Sequence, residues 1–181
     1  MAAVASEYLH GPVCGLVVTR DGHGVPQFTG AIEVMEASHP VPDTRASVAA
    51  EKMLALAKTA TSDDRVIFII SGGGSALICA PIEGITVSDK QAITNCLLRS
   101  GARIDEINCV RRHLSRIKGG GLAASAHPAE LLSFLISDVV GDDPADIASG
   151  PSIAAKHDPD RATAILERYG VPHSDKAIGA I

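Results

Sequence analysis

Short apolar runs that alternate with helical stretches constrain the fold of this chain more than any other feature of its sequence. The two clearest runs are continuous stretches of Val, Ile, Leu and Phe, as expected for parallel strands covered on both faces. The predicted strands span 13–19, 31–35, 65–71 and 131–137. The main predicted helices span 1–9, 44–60, 88–100, 104–117 and 159–169. This alternation predicts an α/β fold: an open, mostly parallel sheet with helices on both faces, in a Rossmann-like three-layer arrangement.

Local start and stop signals place several helix ends. Ser88 opens a capping-box pattern, Ser-Asp-Lys-Gln, and Gly101 follows the end of the same helix. Asp158 is the predicted N-cap of the last long helix, with Pro159 in its first turn and Gly170 after its end.

The overall composition excludes several classes of protein. The chain has 181 residues, 46% of them hydrophobic, and such a chain can bury enough surface to offset its ordering entropy. With 16 Lys and Arg against 21 Asp and Glu, the net charge is −5. This balance argues against nucleic acid as a partner, because phosphate binding needs clustered cations.

The chain ends and the cysteines bear on cellular location. Apolar runs such as 66–70 are far shorter than the roughly 18 residues that span a bilayer. The N-terminal segment has no basic residue and carries Glu7, unlike a signal peptide. The four cysteines, at positions 14, 79, 96 and 109, form no Cys-x-x-Cys pair. We therefore expect a reduced, cytoplasmic protein with no membrane partner.

A glycine-rich loop directly follows the predicted strand 65–71. Its glycines allow close backbone approach and can point successive N–H groups at an anion. The loop consists of Ser71, Gly72, Gly73, Gly74 and Ser75. It is neither a Walker loop nor a dinucleotide fingerprint, since Leu77 stands where the third glycine of the fingerprint belongs. The sequence favours an anion cradle, and a simple tight turn remains the alternative.

An acidic loop follows the predicted strand 131–137. It carries Asp138, Asp142 and Asp143. Mg²⁺ takes one or two carboxylates and leaves its other positions to water and phosphate, so the loop is a candidate metal site. Solvated turn residues are an equally good interpretation of the spacing.

Basic residues cluster where the helix 104–117 approaches a second glycine turn. Such a helix end could meet a carboxylate or a phosphate, although the helix dipole alone also favours cations there. The cluster comprises Arg111, Arg112, His113, Arg116 and Lys118, followed by Gly119, Gly120 and Gly121. His39, a lone histidine before a proline, is more often structural than catalytic.

Taken together, four segments resemble the N-terminal domain of the class II glycerate 2-kinases, many of which are labelled hydroxypyruvate reductases. The similarity covers nearly the whole chain, and ordered motifs of this length are far more specific than any one glycine loop. The matching segments are 38–43, 71–77, 110–120 and 137–151.

The resemblance implies ATP-dependent phosphorylation of D-glycerate to 2-phosphoglycerate, with ATP and Mg²⁺ as cofactors. The family has two α/β domains with the active site in the cleft between them. By motif, the loop 71–75 with Lys118, Gly119 and Gly120 would bind the nucleotide and its phosphates. Asp138, Asp142 and Asp143 would hold the metal.

The resemblance also implies that residues 1–181 are a partial N-terminal domain. The family's Gly-Lys motif, with a catalytic lysine, would precede Met1, and a catalytic arginine would lie in a second domain. We therefore expect this chain to be inactive alone and to need its C-terminal domain or a homo-oligomeric partner. Two alternatives remain: an NAD(P)H-dependent hydroxypyruvate reductase, and a non-catalytic module that binds an anion or a nucleotide.

Overall fold

A computed structural model describes residues 2–9, 11–24, 31–172 and 174–181. Within these ranges the strands are β1 (Gly15–Arg20), β2 (Ile32–Ala37), β3 (Arg65–Ile70) and β4 (Glu130–Leu135). The helices are α1 (Ala2–Tyr8), α2 (Thr44–Ala57), α3 (Gly74–Leu77), α4 (Val87–Arg99), α5 (Ile104–His113), α6 (Gly121–Ser125), α7 (Pro159–Arg168) and α8 (Ser174–Ala180). A 3₁₀ turn covers Ile147–Ser149. No helix in the described part is both long and apolar enough to cross a membrane.

The strands pair in parallel, which confirms the predicted α/β class. β1 pairs with β2, and β3 pairs with β4 in a register that sets Ile70 opposite Leu135. Among the described residues these pairs form two separate two-stranded sheets, where the sequence predicts one open sheet. Val18 of β1 and Phe68 of β3 pack against the same buried cluster, so the sheets share a core without sharing backbone hydrogen bonds.

The core is aliphatic and rich in alanine. Ala46, Ala49 and Ala50 of α2 are fully buried, and such small side chains let a helix approach the strands closely. A second cluster, centred on Ile93, Leu97 and neighbouring residues, joins α4, α5, α7 and α8. The helices that carry the site therefore rest on a core of their own.

Three predicted helix boundaries differ from the structure. α2 ends at Ala57, three residues before the predicted end at residue 60. α4 begins one residue earlier, because Thr86 rather than Ser88 caps it: Thr86 Oγ1 accepts from the Asp89 amide at 3.1 Å, and Asp89 accepts from the Thr86 amide at 2.8 Å. α5 ends at His113, since the Arg116 amide donates to the carbonyl of Ala80 instead of continuing the helix. Lys118 consequently lies on a loop and shares no helix face with Arg111.

The predicted start of α7 is confirmed. Asp158 accepts from the Arg161 amide at 3.1 Å, and Pro159 occupies the first turn. Gly170, just beyond the helix, has a φ of +55°, a conformation that glycine adopts at low cost.

Glu106 joins α5 to the end of α7. Its carboxylate accepts from Tyr169 Oη at 2.7 Å, from Arg168 at 2.8 Å and from the Arg103 amide at 3.0 Å. The hydrogen bond from Tyr169 and the other donors hold the pKa of Glu106 below its ordinary value. The stability that this gives is present above the pKa of the unfolded chain and is lost as the pH falls through the folded pKa.

We expect Glu106→Gln to lower the melting temperature at pH 7, because the amide cannot replace a carboxylate that accepts three hydrogen bonds. The difference from the unchanged protein should shrink as the pH falls below about 4.3, the pKa of glutamate in unfolded chains. Thermal unfolding between pH 7 and pH 3 measures both effects. Glu167→Gln, at an exposed position, is the control and should show no such pH-dependent loss of melting temperature. Equal losses for the two variants would show that Glu106 does not stabilise the contact between α5 and α7.

Candidate functional site

The carboxyl ends of β3 and β4 bring the glycine loop and the first aspartate of the acidic loop together. A Cβ atom on Gly72 would lie 2.1 Å from Oδ2 of Asp138. No side chain fits there without moving the carboxylate. The sequence predicted both groups at strand ends, and the parallel register makes them neighbours.

The other two loop glycines are also closely covered. Gly73 has a φ of +81°, and a Cβ there would lie 2.9 Å from Nε2 of His39. A Cβ on Gly74 would lie 3.0 Å from the Cβ of Ala148. Among the described residues, the amides of Gly72 and Gly73 have no hydrogen-bond acceptor. Two N–H groups of a half-buried loop are thus without an acceptor in the described part of the chain.

Ser75 is the centre of a polar network behind this loop. Its hydroxyl oxygen accepts from Lys118 Nζ at 2.7 Å and also from the guanidinium of Arg111. Because these two donors fill both lone pairs, the Ser75 hydroxyl must donate its own proton, and Oγ of Ser149 accepts at 3.2 Å. Lys118 also donates to the Ser75 carbonyl at 3.0 Å. Each group in the network therefore has a fixed orientation.

Ser149 reaches Ser75 from a strained backbone. Ala148 and Ser149 have φ values of +51° and +63°, in the left-handed region that non-glycine residues rarely adopt. Ser149 is only 1% exposed. Strain of this kind persists where surrounding contacts enforce it, and it concentrates at functional sites.

The second glycine turn supplies those contacts. The amides of Gly119 and Gly120 donate to the carbonyls of Ser149 and Gly150, at 3.0 and 2.7 Å. These two N–H groups are therefore not free for the phosphate that the sequence assigned to them; they anchor Lys118 to the strained segment. A Cβ on Gly121 would lie 2.2 Å from the carbonyl oxygen of Arg116, so the turn requires glycine there.

Three buried cations lie in this region: Arg111 and Lys118 contact Ser75, and Lys90 lies near both of them. Burial lowers the pKa of all three, and the pKa of Lys90 falls to about 8. Each lysine is 6% exposed. No ion pair with a carboxylate involves any of the three in the part of the chain that the structure describes.

Sequence reasoning missed Lys90. One signal was available: Lys90, Ile93 and Leu97 follow the spacing of one helix face, and both hydrophobic residues are buried core positions. A lysine at an otherwise apolar face position is a candidate functional cation, since buried lysines are uncommon without a partner.

The other basic residues of the predicted cluster serve the fold. Arg112 forms an ion pair with Asp146 at 3.0 Å, and Arg116 forms one with Glu51. His113 binds the Cys109 carbonyl through Nδ1 at 2.8 Å and accepts from the Asp158 amide at 2.9 Å. Of that cluster, only Arg111 and Lys118 reach Ser75.

The three aspartates of the acidic loop do not form a common metal site. Among the described residues, no group of three acidic, histidine or cysteine side chains could hold a metal ion. Asp143 instead accepts from the Ala145 amide at 2.9 Å, and Asp142 has a φ of +52°. Asp138, beside Gly72, is the one of the three placed at the glycine loop.

These features define an α/β domain in which parallel strands end at an open glycine loop backed by buried cations. The chain belongs to the family described as "Domain of unknown function (DUF4147)", whose model matches residues 1–180.

Named relatives share this sequence and fold. The chain is 50% identical over 179 residues to an Agrobacterium vitis protein named "Putative hydroxypyruvate reductase", covering 98% of this chain. It is 41% identical over 167 residues to the "D-glycerate 2-kinase" of Thermotoga maritima, covering 92% of this chain. The crystal structure of the glycerate kinase from Thermotoga maritima superposes on 92% of the chain with a TM-score of 0.87 and 40% identity. The chain spans 40% of the length of each of these proteins.

Proposed function

We propose that this chain is part of a D-glycerate 2-kinase, which transfers a phosphoryl group from ATP to D-glycerate and forms ADP and 2-phosphoglycerate. The observation that carries the proposal is the pair of cations, Arg111 and Lys118, fixed on Ser75 directly behind a glycine loop with open amides. The Thermotoga maritima relative, named for this reaction, supports the same choice.

The glycine loop fits the phosphates of a nucleotide. The amides of Gly72 and Gly73 can donate to phosphate oxygens, and the missing side chains allow the close approach that such donation needs. Asp138, with its carboxylate against Gly72, would hold a Mg²⁺ that accompanies the phosphates. When bound, Mg²⁺ would supply neutralising charge to the phosphate oxygens.

Arg111 and Lys118 supply fixed positive charge. Phosphoryl transfer depends mainly on positioning and on stabilising charge that spreads over the migrating oxygens. Both side chains are held by Ser75, and Lys118 is also anchored through the second glycine turn, so little reorganisation is needed when that charge develops.

We expect Asp138→Asn to lower the activity of the full-length protein and to raise the Mg²⁺ concentration needed for half-maximal rate, by roughly 10- to 100-fold. An amide is a weaker ligand for a hard cation than a carboxylate. The measurement is the rate as a function of Mg²⁺ concentration. Asp63→Asn, at an exposed turn, is the matched control; overlapping Mg²⁺ curves for Asp138→Asn and the unchanged protein would assign Asp138 a structural role.

The proposal is tested on the full-length protein in two assays: D-glycerate with ATP, and hydroxypyruvate with NADH or NADPH. We expect ADP and 2-phosphoglycerate in the first assay and no turnover in the second. Turnover in the second assay alone would establish the reductase that the name of the Agrobacterium vitis relative suggests. Nucleotide binding without turnover in either assay would favour a non-catalytic module.

A further inference from the structure

Lys90 is a buried cation that the network around Ser75 does not use. It lies on the inner face of α4, and its Nζ has no hydrogen-bond acceptor in the described part of the chain. Lys90 as a whole is 6% exposed. Burial, reinforced by repulsion from Arg111, lowers its pKa to about 8. An ammonium in such a position destabilises the folded protein unless something else accepts its hydrogen bonds.

The groups near Lys90 add further positive charge that no carboxylate neutralises in the described part of the chain. Arg111 approaches from α5 and Lys118 from the loop after it, and the thiol of Cys79 lies on the segment after α3. Burial holds the pKa of Lys118 well below its ordinary value, and repulsion from Lys90 and Arg111 lowers it further. Among the described residues, no carboxylate forms an ion pair with these three cations, and the hydrogen-bond acceptors that they have are the hydroxyl and the carbonyl of Ser75.

We propose that Lys90, Arg111 and Lys118 form a pocket for a doubly charged phosphate group, either free phosphate or a phosphate ester. A dianion with several acceptor oxygens can take donors from all three side chains at once. A monocarboxylate leaves more of the buried charge unbalanced. Ser75 and Arg111 are half-buried, whereas both lysines are 6% exposed, so a ligand would reach Ser75 and Arg111 before the lysines.

Which molecule carries the phosphate depends on the proposed function: in a D-glycerate 2-kinase it would be ATP or 2-phosphoglycerate. The affinity of the pocket for phosphate itself does not depend on that function. Binding should also take up protons. A bound dianion raises the pKa values of both lysines, so a lysine that is partly neutral in the free protein gains a proton on binding. Affinity for phosphate should therefore fall as the pH rises above about 8.

The experiment is isothermal titration of the full-length protein with inorganic phosphate, and with acetate as the monoanion, at pH 7 and pH 9 in buffers of different ionisation enthalpy. We expect phosphate to bind more tightly than acetate, and phosphate to bind more tightly at pH 7 than at pH 9. Net proton uptake is expected at pH 9, where inorganic phosphate is already a dianion and Lys90 is largely neutral. Lys90→Met should weaken phosphate binding by about 10- to 100-fold. Lys58→Met, at an exposed site on the end of α2, should bind as the unchanged protein does.

Thermal unfolding separates this role from a structural one. Because Lys90→Met removes a buried charge without a partner, the melting temperature of the ligand-free variant should rise by at least ~2 °C at pH 7. A lysine that only supports the fold would lower it. The proton uptake of the unchanged protein needs no variant, so it tests the proposal even if Lys90→Met fails to fold.

Two results would overturn the pocket: phosphate affinity unchanged in folded Lys90→Met, or acetate binding as tightly as phosphate. Titration with 2-phosphoglycerate, ATP and D-glycerate identifies the carrier. If phosphate affinity depends on Lys90 but the full-length protein does not phosphorylate D-glycerate, the proposed function fails and the pocket stands. If the full-length protein phosphorylates D-glycerate but Lys90→Met leaves the phosphate affinity unchanged, the proposed pocket is wrong and the proposed function stands.

Discussion

Replacing Lys118 by methionine should lower kcat/KM of the full-length protein for D-glycerate by about 10²–10³-fold. Lys118 donates to both the hydroxyl and the carbonyl of Ser75, at 2.7 and 3.0 Å. Its removal takes away a fixed positive charge and also frees the Ser75 hydroxyl to turn away from its present partner, Ser149. Methionine has nearly the same length and keeps the buried aliphatic contacts, so the change is confined to charge and hydrogen bonding.

The measurement is initial rate against D-glycerate and against ATP, with the melting temperature as a check on folding. Lys58→Met changes an exposed lysine to the same residue and should leave both quantities unaltered. A folded Lys118→Met variant with the kcat/KM of the unchanged protein would exclude Lys118 from the reaction, and it would leave the network around Ser75 as a structural feature.

The parallel pairing of β3 and β4 could be predicted because both strands are continuous apolar runs that end in turn-forming residues. The same reasoning placed the glycine loop and Asp138 at strand ends, where they meet. The position of α7 was also predictable, since Asp158 and Pro159 act through contacts within one helical turn. Signals of this kind depend on neighbours in sequence alone.

Boundaries that depend on distant contacts could not be predicted in the same way. α5 ends at His113 because the following residues bond to a segment more than 30 positions earlier, around Ala80. Thr86 and Ser88 both carry a hydroxyl that could cap α4, and only the geometry of Asp89 decides between them. The separation of the strands into two pairs was not predicted, because the sequence shows which segments are strands but not which strands exchange backbone hydrogen bonds.

In the candidate site, too, some features follow from neighbouring residues in the sequence and others only from distant contacts. The loop glycines are visible in the sequence because other residues tolerate neither the positive φ of Gly73 nor the close contacts at Gly72 and Gly74. Ser149 could not be predicted, because it is far from Ser75 in the chain and serine is common in turns. Lys90 left one signal, its place on an otherwise apolar face of α4, but that signal does not say which groups it meets. The strained backbone of Ser149 and the missing partner of Lys90 appear only once the chain is folded. Both depart from local rules, and such departures are expected mainly at functional sites.

Gly73→Val should lower the affinity of the full-length protein for ATP by about 100-fold or more, which corresponds to the loss of roughly 3 kcal/mol of binding free energy. Gly73 has a φ of +81°, which a β-branched residue adopts only under strain. Its Cβ would lie 2.9 Å from Nε2 of His39, so either the ring or the loop must move. In both cases the open amides of Gly72 and Gly73 leave the positions in which they can donate to phosphate.

Gly84→Val is a closely matched control. Gly84 has a φ of +80°, and a Cβ there would have no heavy atom within 4 Å. The two substitutions therefore impose the same backbone strain, about 1–3 kcal/mol, and both should lower the melting temperature by several degrees. Only Gly73→Val should lose nucleotide affinity, measured by titration with ATP and Mg²⁺. If both variants bind ATP as tightly as the unchanged protein, the glycine loop is a turn and the nucleotide phosphates must be bound elsewhere.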